Sequence, residues 1–222
     1  MKKTTLVLVA MFAALPLSAS AGLFGSVASA VTGGDSTQSS GDPVSASNRL
    51  VSQYVAGNVS ILTAQKDMAK ALHLKGQVAT IDATLKSLKS SSSGKVSKSG
   101  LEHAGKIIGG SSAAITAEQA KSPILSAADK VDYAKGLASL GGGIIHYVGM
   151  KSAASSFSSS VSSLSPMAAA QDATEIASGL YVVKSLPSSI SNLGSSLSEA
   201  VSFAKSNKIA VPSSATKALG AL

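Results

Sequence analysis

The chain has 222 residues, no cysteine, and 19 basic against 11 acidic side chains for a net charge of +8. That composition excludes a disulfide framework, a thiolate metal site, a thiol nucleophile and a lipidated N-terminal cysteine. Beyond Lys2-Lys3 the basic residues are scattered, as at Lys66, Lys70, Lys86, Lys106, Lys121, Lys130 and Lys135, and Arg49 is the one arginine. A nucleic-acid partner is not expected, because such proteins gather charge on one face and read base edges with arginine. A mildly positive surface is still compatible with anionic lipid head groups or acidic glycans.

Residues Met1-Lys2-Lys3 lead into an apolar run from Leu6 to Leu17 and then Ser18-Ala19-Ser20-Ala21. A positive start, a short apolar stretch and an Ala-x-Ala exit are the parts of a cleavable secretory signal. The apolar run of about a dozen residues falls short of the roughly 20 needed to span a bilayer. Cleavage is expected after Ala21, which lowers the net charge to +6 and places the product in the periplasm or outside a Gram-negative cell. The next stretch, 22–42, reads as an amphipathic tag on a flexible linker. In it Leu23, Phe24, Val27 and Val31 share one side of a short helix and are candidates for contact with a membrane surface or a partner.

From Asp42 onward the signals are helical, and residues 43–222 are expected to form one bundle domain. Asp42 is a good N-cap and Pro43 suits the first helical position. Two ladders at seven-residue spacing, Tyr54/Ile61/Met68 and Val55/Leu62/Ala69, mark a long first helix. Val78, Ile81, Leu85 and Leu88 mark a second, closed by the run Ser90 to Gly94. Ser99-Gly100-Leu101-Glu102 reads as a capping box opening a third helix that runs to about Lys121. Ser122-Pro123 restarts a fourth, with Gly141-Gly142-Gly143 as its turn, and a fifth is expected from Ile144 to about Leu164. In that hairpin Ile144, Ile145, Val148 and Phe157 are expected to pack inside. Ser165-Pro166 opens a sixth helix with Ile176, Leu180 and Val183 inward, and Leu186-Pro187 divides it from a seventh carrying Ile190, Leu193, Leu197 and Val201. Ser206-Asn207 is the expected stop, after which Ile209 and Val211 tuck back and a last turn or two follows Pro212.

No strand alternation and no tandem repeat is sustained in the sequence. The expected fold is all-α, an antiparallel bundle of about six or seven helices whose core relies on Ala, Gly and Ser to bring helices close.

The residues that could carry chemistry give no catalytic, cofactor or metal assignment. His73, His103 and His146 lack partners at i+3 or i+4, and Glu102-His103 matches no zinc or di-iron motif. Ser214-Ala215-Thr216-Lys217 fits Ser-x-x-Lys but without the companion motifs of a serine acyl-enzyme site. Gly105-Lys106-Ile107-Ile108-Gly109 reads as a close helix crossing, and Asp129 with Asp132, flanked by Lys130 and Lys135, as a solvated face. The function expected from this balance is a non-enzymatic envelope module, binding or structural, with an envelope protein, a polymer or an apolar ligand as partner and no cofactor. A membrane-active helical protein and an enzyme with an unrecognised site are the alternatives.

Overall fold

The structure, a computed structural model, describes residues 42–90, 96–165 and 172–222 together with 167 and 170. The expectations for the secretory signal, the tag and the linker lie outside the described residues, except at Asp42. So does the opening expected at Pro166.

The described residues form seven helices and no strand: α1 (Pro43–Ala71), α2 (Lys75–Ser90), α3 (Lys98–Ala120), α4 (Ala127–Gly149), α5 (Lys151–Ser162), α6 (Ala173–Ser206) and α7 (Ser213–Ala221). The fold is a helical bundle. Asp42 caps α1 as expected, its carboxylate accepting from the amides of Val44 at 3.1 Å and Ser45 at 3.3 Å. Helix α1 ends in a Schellman turn: His73 takes φ 58° and the Leu74 amide donates to the Ala69 carbonyl at 2.8 Å. The same turn closes α6, with Lys208 at φ 55° and the Ile209 amide bonded to Ala204. Ile209 is thereby delivered into the core.

Helix α1 is the centre of the bundle and packs on α2, α3, α4, α5 and α6, most extensively on α4. Small residues make that contact close. A Cβ on Gly136 would stand 2.7 Å from the Ala64 carbonyl oxygen, one on Gly143 would stand 2.5 Å from Ile61 Cδ1, and one on Gly57 would enter the Tyr147 ring. As α1 numbers rise through 57, 61 and 64, the α4 partners fall through 147, 143 and 136, so the two helices are antiparallel. Helix α6 runs parallel to α1, since Ser47 meets Gly179 and Tyr54 meets Ser189.

Several sequence expectations are corrected. The cap of α3 is Ser97, whose hydroxyl accepts from the Gly100 amide at 3.3 Å, and not Ser99. The reciprocal capping box belongs instead to Ser126 and Asp129 at the start of α4, four residues after the point where Ser122-Pro123 indicated a start. Gly141-Gly142-Gly143 is no turn: α4 passes through it to Gly149, because Gly141 lies against the α7 backbone and Gly143 against α1, and the tertiary contact overrides the weak helix propensity of glycine. The following helix begins at Lys151, not Ile144. Pro187 lies within the single helix α6 and does not divide it. Ile144 and Phe157 are buried as expected and Val148 partly so, but Ile145 is 39% exposed; likewise Leu180 points outward at 43% while Val182 is fully buried. Among the described residues no helix is long and apolar enough to cross a membrane.

Candidate functional site

On α1 the residues Tyr54, Asn58, Ile61, Gln65 and Met68 follow steps of four and three, so all five lie on one helix face. All five are buried, and two of them are amides. Buried amides need partners. Gln65 finds them on α3 for its Nε2, which donates to the Ile108 carbonyl at 2.9 Å and the Ser112 hydroxyl at 2.8 Å, while its Oε1 has no hydrogen-bond partner among the described residues. Asn58, with no exposed surface, is served on one side only: the Tyr147 hydroxyl of α4 donates to its Oδ1, while its Nδ2 has no hydrogen-bond partner among the described residues.

That amide lies at the floor of a cleft of about 370 Å³ between α3 and α6. One wall is the α3 face Gly105, Ile108, Gly109, Ser112, Ala113 and Thr116, again at steps of three and four. The opposite wall is Ser189, Asn192, Leu193, Ser196 and Glu199 of α6, and Tyr54 and Tyr147 join Asn58 in the floor. The two Tyr rings lie 5.3 Å apart at 56°, and Tyr181 stands edge-on to Tyr54 at 6.4 Å. Tyr54 also places its hydroxyl 3.5 Å from that of Ser189. Burial is the main cause that pushes the Tyr54 and Tyr147 phenols above their ordinary range, so both remain protonated at neutral pH.

The walls are pinned at one end of the cleft. At the exposed rim Thr116 donates to Glu199 at 2.7 Å. Beyond it, Gln119 of α3 donates to the Tyr133 hydroxyl at 2.7 Å, which in turn donates to the Ala200 carbonyl at 3.3 Å. With the helices held there, small residues leave space where larger ones would fill it. The close crossing expected at Gly105 and Gly109 is not formed: a Cβ on Gly109 would meet no described atom within 4 Å, and one on Gly105 would meet only the Tyr181 hydroxyl at 3.4 Å.

Compared with family models, with curated proteins and with solved structures, the chain matches none.

The other sequence-predicted groups are kept apart. Leu23, Phe24, Val27 and Val31 lie outside the described residues. His73 is 3.5 Å from Asp129 at the end of α1, His146 Nε2 is 2.9 Å from the Gln53 carbonyl, and His103 is exposed on α3. Among the described residues no group of three or more His, Asp or Glu is placed to hold a metal ion. Ser214 of the Ser-x-x-Lys match spends its hydroxyl on the Ala138 carbonyl at 2.9 Å. Asp132 pairs with Lys70 of α1 at 2.9 Å, as a solvated face would. A second depression of about 380 Å³ between α5 and α6, lined by Ala154, Val183, Leu186, Pro187 and Ile190, contains none of the unpartnered buried polar atoms.

Sequence reasoning missed Asn58 altogether. Its signal was present, since Asn58 and Gln65 interrupt the apolar face at positions where Tyr54, Ile61 and Met68 demand burial.

Proposed function

We propose that this chain is an exported cell-envelope binding module, non-enzymatic, whose ligand is a small molecule or a unit of a polymer held in the cleft between α3 and α6. The observation that carries the reading is the cleft of about 370 Å³ between α3 and α6, lined by Ser112, Thr116, Asn192, Ser196 and Glu199 beside Ile108 and Leu193. The surrounding groups favour holding over reacting. They are amides, hydroxyls and protonated phenols on rigid helices, all able to orient a ligand, with no proton donor or acceptor tuned to neutral pH among the shifted groups of the cleft. Export rests on the secretory-signal pattern of residues 1–21.

Two measurements test this. Intact-mass analysis of protein recovered from the envelope is expected to show a chain beginning at Gly22, and retention of Met1 to Ala21 would refute export. Native mass spectrometry of the same material is expected to show a bound mass that is missing in Gly109→Leu, a substitution that fills the cleft from a position where a Cβ meets open space. The same bound mass in both proteins would remove the cleft from the account.

A further inference from the structure

Resting on that reading, we infer that the cleft takes a small organic cation, a primary ammonium carried on a compact carbon body. The charge of the lining selects it. Glu199 is the one charged side chain among the residues that line the cleft. That is unexpected in a chain where 19 basic side chains outnumber 11 acidic ones. Elsewhere the lysines find the carboxylates, and Asp82, Asp132, Glu102 and Glu118 each hold one at 2.7 to 3.6 Å. Glu199 forms no such pair among the described residues; its hydrogen-bond partner is the Thr116 hydroxyl at 2.7 Å, at the exposed rim. A carboxylate accepts at about four positions, so one hydroxyl leaves most of its capacity for the N–H groups of a ligand.

The rest of the lining fits the same class. An ammonium only donates, and Ser189, Asn192 and Ser196, on the same wall as Glu199, supply further oxygens to accept from it. Gly109 and Ala113, exposed on the α3 wall, leave apolar surface and space for the carbon body. The volume of about 370 Å³ lies at the small end of ligand pockets and suits one ring or a short chain. An anionic ligand would meet the Glu199 charge with no cation to offset it, and a neutral one would leave that charge unanswered. A net charge of +8 repels cations from the molecule as a whole, so a cation that stays bound is held by a carboxylate clear of lysines.

The test is an NMR titration of the ¹⁵N-labelled protein at neutral pH with probes that share one ring and differ in charge: cyclohexylammonium, cyclohexanol and cyclohexanecarboxylate. The Gly109, Ser112 and Glu199 backbone amides are expected to shift saturably with cyclohexylammonium. Cyclohexanol is expected to bind about fivefold more weakly, the scale of one exposed ion pair, and the carboxylate more weakly still. Glu199→Gln, with a dispersed spectrum attesting its fold, is expected to bring the ammonium down to the level of the alcohol. Added salt is expected to weaken the ammonium and leave the alcohol unchanged. Equal affinity for ammonium and alcohol, or a preference for the ammonium that survives Glu199→Gln, would overturn the cation assignment and leave the binding cleft standing. If no probe moves these amides, the cation assignment falls, and the bound mass in native spectrometry then decides the cleft by itself.

Discussion

Asp67 is half-buried on α1, and burial first, then the nearby Asp132 carboxylate, raises its carboxyl above the usual 3.8. Its neighbours move the other way. Asp132 is lowered chiefly by its hydrogen bond to Lys70, and Asp129 and Asp42 chiefly by the hydroxyls of Ser126 and Ser45. The signs set the pH response. A raised folded-state carboxyl contributes stability below the unfolded value and loses it as pH rises through the folded value, while the lowered ones contribute above 3.8 and lose it as pH falls. Asp67→Asn is therefore expected to raise thermal stability at pH 7 by less than about 1 kcal/mol, the group being partly screened by water, and to give no gain near pH 3. Melting curves at both pH values check this; a gain at pH 3 as large as at pH 7 would contradict the assigned cause. Two adjacent isoleucines give a sharper contrast. Ile144 has no exposed surface and Ile145 is 39% exposed. Ile144→Asp is expected to lose about 3 kcal/mol or more in chemical denaturation and Ile145→Asp only about 1 kcal/mol.

Helix α4 shows why element boundaries were harder to read than element type. Three consecutive glycines are a turn by local propensity, yet Gly141 and Gly143 are small because α7 and α1 press against them on different sides. Propensity cannot report a neighbour as distant in sequence as Ala215 from Gly141 or Ile61 from Gly143. The same holds for Pro187, which locally ends a helix and here is carried inside α6, whose inward face, Ile190, Leu193, Leu197 and Val201, continues past it to Ser206. The glycines differ in a measurable way. Gly142→Ala meets no described atom within 4 Å and replaces glycine in a helix interior, so it is expected to stabilise by about 1 kcal/mol. Gly136→Ala drives a methyl to 2.7 Å from the Ala64 carbonyl oxygen and is expected to destabilise by about 1–3 kcal/mol. Equilibrium unfolding of the two variants distinguishes a continuous α4 from a hairpin turn, where Gly142→Ala would bring no gain.

At the scale of the molecule, the fold class was legible because 3.6-residue periodicity recurs over nearly every segment from Asp42 onward, and the heptad ladders of α1 named much of the core. The cleft was not legible. It exists because α3 and α6 come together from distant parts of the chain and are pinned at Thr116–Glu199 and Gln119–Tyr133–Ala200, leaving Gly105, Gly109 and Ala113 opposite serines. A GxxxG run reads identically whether two helices close over it or stand apart. Only the buried amides on the apolar face of α1 betrayed a polar interior.

The central claim, that a ligand occupies the cleft between α3 and α6, is tested most directly on the residues that line it. The Gly109 and Ser112 backbone amide resonances can be recorded in the protein as isolated from the envelope and again after unfolding, dialysis and refolding, which strip any bound molecule. The account predicts two different positions, with return to the first when the dialysed small-molecule fraction is added back. Identical positions in the two preparations, unmoved by that fraction, would contradict it.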